Sequence, residues 1–148
     1  MKGQISTELM VIVALVLLIF IPLLVLVYFK ANEANQQIAS YQAELAVFRV
    51  AYLANSVGSL GTNTSVTTDI YVPQNIKTFS TASSGGGGEI SMQVDTPQGL
   101  SDIVEVVDYP VSNPTILADQ TNAGGWMRIR ISSEYSANKA RLSITKVS

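Results

Sequence analysis

An α+β fold is predicted for this chain: a long N-terminal α-helix, membrane-spanning and then amphipathic, packed on a C-terminal antiparallel β-sheet or small β-sandwich head. Three observations predict it. Leu9 to Phe29, LMVIVALVLLIFIPLLVLVYF, carries no charge over 21 residues, which is the length a helix needs to cross a hydrocarbon core. Residues 30–57 contain no Gly and repeat apolar positions at steps of three and four. From Gly58 onward the texture changes to short β-branched runs punctuated by Gly, Asn, Ser and Pro. The helix is therefore placed at 4–57, apolar over 9–29 and amphipathic over 30–57, and the head at 58–148.

The apolar segment is too long for a cleaved secretory signal, and "VYFKANEANQQ" after it offers no A-x-A cleavage pattern. As a plain membrane anchor it would be capped by Ser6 or Thr7. Glu8 would then lie in the first turn, where a negative charge meets the positive end of the helix dipole. Pro22 removes a backbone hydrogen bond inside the run at a cost of about 3 kcal/mol, so a bend or local opening is expected there.

After Lys30, Ala31, Ala34, Ile38, Tyr41, Leu45, Phe48 and Tyr52 form one periodic stripe. Asn32, Glu33, Asn35, Gln36, Gln37, Ser40, Gln42 and Glu44 fall mostly between its members. A mixed aromatic and aliphatic stripe is the usual appearance of a core face, so this one is expected to pack against the protein's own head.

In the head, strands are expected at Val66–Val72, Ile76–Thr81, Glu89–Asp95, Ile103–Tyr109, Trp126–Ser132 and Arg141–Val147. In "WMRIRIS", Met127, Ile129 and Ile131 point one way while Arg128 and Arg130 point the other, and Leu142 and Ile144 alternate similarly with Arg141, Ser143 and Thr145. "SSGGGG", Ser83 to Gly88, lacks the Lys of a phosphate loop and reads as a hairpin tip; "NAGG", Asn122 to Gly125, reads as a turn before the last hairpin. Asn63-Thr64-Ser65 fits the N-glycosylation sequon, whereas Asn113-Pro114-Thr115 is excluded by its Pro.

Composition narrows the function classes. Lys and Arg number 9 against 11 Asp and Glu, with no basic run to follow a phosphate backbone, so nucleic acid is not an expected partner. Without Cys or His, thiol chemistry, disulfides, imidazole catalysis and the common zinc sites drop out. Asp95, Asp102, Glu105, Asp108 and Asp119 match no calcium loop and read as a solvated acidic face. No catalytic constellation, cofactor site or metal site is expected, and the chain is not read as an enzyme. Arg128, Arg130, Lys139, Arg141 and Lys146 gather positive charge near the C-terminus, which offers either a mixed solvated surface or complementary contacts between neighbouring heads.

"KGQISTE" followed by an unbroken apolar segment resembles the class III signal peptide of archaeal type IV pilin-like proteins. The resemblance covers the N-terminal helix only. It implies cleavage by a prepilin peptidase between Gly3 and Gln4, leaving 1–3 as a leader peptide and Glu8 fifth in the processed chain. The family pattern Q-x-S-x-E-x-x-x-L is met by Gln4, Ser6 and Glu8; its last position is Ile12 here, an apolar replacement. It implies a subunit held in the cytoplasmic membrane as a single-pass precursor, then assembled by pilus machinery into a helical homopolymer outside the cell. Gly3 and Gln4 are the candidate cleavage residues, Ser6, Glu8, Ile12 and Pro22 the candidate assembly residues, and Asn63 the candidate glycosylation site. A subunit of the related swimming filament fits the same residues, and a monomeric membrane-anchored domain binding a surface ligand is the competing reading.

Overall fold

The computed structural model describes residues 2–136 and 139–147, the side chains of 2–6, 84, 122, 136 and 139 excepted. One helix, α1 (Lys2–Leu60), is followed by strands β1 (Ser65–Val72), β2 (Ile76–Ser84), β3 (Gly87–Thr96), β4 (Gly99–Val107), β5 (Thr115–Asp119), β6 (Gly125–Ser136) and β7 (Lys139–Val147), with a 3-10 turn at Gln120–Asn122. The chain divides into two compact units, Met1–Asn35 and Gln36–Ser148.

The first unit is helical. Its described apolar side chains, Leu9 to Phe29, are exposed around the whole circumference, and the helix is long and apolar enough to cross a membrane by length and composition. Pro22 lies inside α1, which continues through it and does not open there.

The second unit packs the C-terminal part of α1 on two antiparallel sheets, one of three strands in the order β1-β6-β7 and one of four in the order β4-β3-β2-β5. A single core joins them. Ala43, Val47, Val50, Ala54 and Val57 of α1 meet Ile70 and Val72, Phe79, Ile90 and Met92, Ile129 and Ile131, and Leu142 and Ile144. Alternation along the strands supplies one apolar face to each sheet, and α1 covers apolar surface that the sheets would otherwise leave in water.

The helix buries a different face from the one its bulkiest residues suggested. Ile38, Tyr41, Leu45, Phe48 and Tyr52 are all exposed, at 54% to 67%. The face laid against the sheets is Ala43, Ala46, Val47, Val50, Ala51, Ala54 and Val57, each 6% exposed or less. These positions sit about two residues, or roughly 200°, from the bulky stripe, on the opposite side of the helix. Small side chains let the backbone approach closely, and the large ones of the sheets fill the space between. Gly58 completes this face: a Cβ there would run into the Tyr109 ring. The helix stops at Leu60, followed by Gly61 at φ +94°, the left-handed conformation that commonly ends helices.

The strands depart from expectation in two places. Seven form rather than six, because β5 adds to the free side of β2, pairing Ser80 with Ile116 and Phe79 with Ala118 across a register shift. That shift buries consecutive residues, Leu117 and Ala118, which erases the alternation a strand would show in sequence. Strand β4 starts at Gly99 and ends at Val107, earlier than Ile103–Tyr109, because the tight β3–β4 turn starts pairing at Thr96 and Gly99. Beyond it, the Asp108 amide donates to Asn55 Oδ1 at 2.9 Å, fixing the end of β4 to α1 as Tyr109 closes on Gly58. "SSGGGG" is the β2–β3 hairpin: Ser84 pairs with Gly87 around Gly85 and Gly86, both at positive φ, as two-residue primed turns require.

Candidate functional site

The surface that most needs a function is the outward face of α1. A bulky apolar side chain left in water forfeits roughly 1.5 to 3 kcal/mol of burial, and Ile38, Tyr41, Leu45, Phe48 and Tyr52 repeat this along one line. Two open clefts flank that line, both reaching Leu45. One of about 420 Å³ lies on the β1–β6 side, lined by Gln42, Ala46, Arg49, Ile70, Tyr71 and Trp126 as well as Leu45. The other, of about 430 Å³, is lined by Tyr41, Glu44, Phe48 and Glu105 besides Leu45. A bulky ridge with a furrow on each side is the shape that interlocks with another helix.

The β1–β6 cleft holds a group that sequence reasoning did not single out. Tyr71 and Trp126 are paired across β1 and β6 and meet edge to face, centroids 5.6 Å apart. Arg49, on the cleft wall, donates to Thr68 Oγ1 at 3.0 Å. The sequence did carry a signal for the exposed ring: Trp126 shares the parity of Arg128 and Arg130, opposite to that of Met127, Ile129 and Ile131.

Two pairs along β1 and β6, Asp69 and Arg128 make a forked contact, Nε to Oδ1 at 2.8 Å and Nη2 to Oδ2 at 3.2 Å. The hydrogen bond from Arg128 holds the Asp69 carboxyl below the usual carboxylate range, with Arg128 and Arg49 charges acting in the same direction. Among the described residues, no group of three or more His, Cys, Asp or Glu could hold a metal ion.

The candidate cleavage and assembly residues are spread along the first part of α1, about 28 Å from Gly3 to Pro22, and are not gathered into one site. Gly3, Gln4 and Ser6 lie inside the first turns of α1, which runs from Lys2, so neither Ser6 nor Thr7 caps it and Glu8 falls beyond its first turn, contrary to expectation; the side chains of residues 3, 4 and 6 are outside the described residues. Glu8 and Ile12 are exposed, one helical turn apart, and Pro22 lies on the same apolar segment. Asn63 is exposed in the turn between α1 and β1 at φ +65°. Its backbone amide donates to the Ser133 carbonyl at 3.0 Å, so the turn is fixed while the carboxamide faces solvent. No family model, curated protein or solved structure matches the chain.

Proposed function

We propose that this chain is a structural subunit, a type IV pilin-like protein. A prepilin peptidase cuts it between Gly3 and Gln4, and it polymerises through its N-terminal helix into an extracellular filament that serves adhesion or surface attachment. The observation that carries this reading is the outward bulky face of α1: the head is complete without Ile38, Tyr41, Leu45, Phe48 and Tyr52, so these side chains are left for another surface.

The mechanism follows from solvent matching. Leu9 to Phe29 reside in the cytoplasmic membrane before assembly and among the helices of neighbouring copies after it, two environments of similar polarity. Transfer between them costs the apolar side chains little, whereas burying the Glu8 carboxylate without a partner costs several kcal/mol. The α-amino group released on Gln4, in the same or a neighbouring copy, is the cation that satisfies it, and only the correct axial register brings the two together. Where Gln4 cyclises, backbone N–H groups or the Ser6 and Thr7 hydroxyls take over that role. Asn63, exposed in its turn, is the place for a surface glycan.

The test replaces Leu45 and Phe48 together by Gln. Thermal stability of the head is expected to stay near wild type, while the ratio of filament sheared from cells to membrane-held subunit falls at least tenfold. An unchanged ratio, or no sheared filament from the wild type, overturns the subunit reading in favour of a membrane-anchored monomer.

A further inference from the structure

The register places complementary chemistry on the outer faces of the two sheets. On the four-stranded sheet, one cross-strand row runs Val104, Ser91, Ser80, Ile116. Neighbouring rows on that face hold Val106 beside Glu89, Asp102 beside Gln93, and Leu100 beside Asp95. Leu100, Val104, Val106 and Ile116 are 45% to 71% exposed, and no cross-strand paired position of that face is Lys or Arg. Lys77, in the irregular step of β2 between Ile76 and Thr78, is set against Glu89, Asp95 and Asp102, so the face is mainly aliphatic and acidic. The three-stranded sheet presents Tyr71 beside Trp126, Asp69 beside Arg128, Thr67 beside Arg130 and Glu134 beside Arg141. Its two carboxylates are outnumbered by guanidiniums, and Trp, Tyr and Arg are the side chains that dominate protein interfaces.

We propose that the outer face of the three-stranded sheet of one copy docks on the outer face of the four-stranded sheet of the next. This rests on the subunit reading above and supplies its second, head-to-head contact. Charge complementarity names the occupant: each copy carries one acidic-aliphatic face and one aromatic-arginine face. Glu89 and Asp102 have uncharged cross-strand partners, Val106 and Gln93, Asp95 pairs with Leu100, and Arg130 sits beside an uncharged Thr. Because the two faces differ, the contact is heterologous, and a heterologous contact repeats from copy to copy, closing into a ring or continuing as a helix. The apolar helix then supplies cohesion, and the head contact supplies direction.

The experiment measures self-association of the full chain by sedimentation equilibrium in a nonionic detergent, which covers Leu9 to Phe29 and leaves the heads to meet. Association is expected to weaken as salt rises, the screening length falling from about 10 Å at 0.1 M to about 3 Å at 1 M. Arg130→Glu and Asp102→Lys, both at exposed positions, should each weaken association roughly tenfold or more through like-charge contact, with unchanged melting temperature. The chain carrying both should recover near-wild-type association, since its reversed faces again match. A wild type monomeric at all salt concentrations, single variants that associate normally, or a double variant no better than either single would each overturn the proposal. The subunit reading fails separately, through unchanged filament yield in the Leu45 and Phe48 variant while association in detergent persists.

Discussion

Val47 and Phe48 are adjacent in sequence and opposite in environment: Val47 is fully buried against the sheets and Phe48 is 57% exposed. Along Ala43 to Val57 the helix has two apolar faces, a small-residue face turned to its own head and a bulky one turned away. The segment Leu9 to Phe29 has no such division, being exposed and apolar on every side. The difference teaches that bulk does not identify a core face. Close packing of a helix on a sheet selects side chains that permit close approach, and large residues gain more where a partner can enclose them from several directions.

The sharpest way to break this comparison is a matched pair of substitutions. Val47→Asp puts an unpaired carboxylate among Val50, Phe79 and their neighbours in the shared core, and is expected to cost about 4 kcal/mol or more. That is a large share of the 5 to 15 kcal/mol that holds a typical domain together. Phe48→Asp is expected to change head stability by no more than about 0.5 kcal/mol. Thermal unfolding of the full chain in detergent reads both, and similar losses in the two variants would show that the outward face also stabilises the head.

In the all-round apolar segment the corresponding test is Glu8→Leu. As a simple anchor the variant loses little, because Glu8 lies beyond the first turn of α1, outside the reach of the dipole interaction, and filament yield stays normal. As a register partner, Glu8 leaves a buried amine unpaired when replaced. The filament-to-membrane ratio should then drop tenfold or more at matched processing, tenfold corresponding to about 1.4 kcal/mol.

The close-approach explanation is sharpened by Gly58→Ala. The added methyl meets the Tyr109 ring, so a loss of about 1 to 3 kcal/mol is expected in thermal unfolding. Tyr109→Ala in the same chain should relieve the clash, so the added cost of Gly58→Ala in that background should be smaller.

The smallest effect is expected at Asp69. Its carboxyl is held below the ordinary range by Arg128. The pair therefore contributes above the ordinary carboxylate pKa, and the contribution disappears as pH falls through the lowered value. Asp69→Asn should flatten the acid limb of the melting temperature against pH only slightly, because exposed ion pairs contribute little. A large change would mean that Asp69 and Arg128 are covered by something else under the conditions used.

The sequence alone determined the apolar helix and six of the seven strands in their order. Runs such as Leu9 to Phe29 and the alternation of Met127, Ile129 and Ile131 need no tertiary information, because a charge-free run of that length and a period of two each follow from local geometry. The Gly85-Gly86 turn was legible for the same reason. Strand β5 was not, since its register shift is imposed by pairing with β2. The side of α1 that meets the head was decided only by tertiary structure: residues 38–52 and 43–57 both satisfy helical periodicity, and periodicity contains no information on which stripe faces inward. That choice depended on how near two sheets and a glycine at position 58 allow the helix to come, and it favoured the smaller side chains.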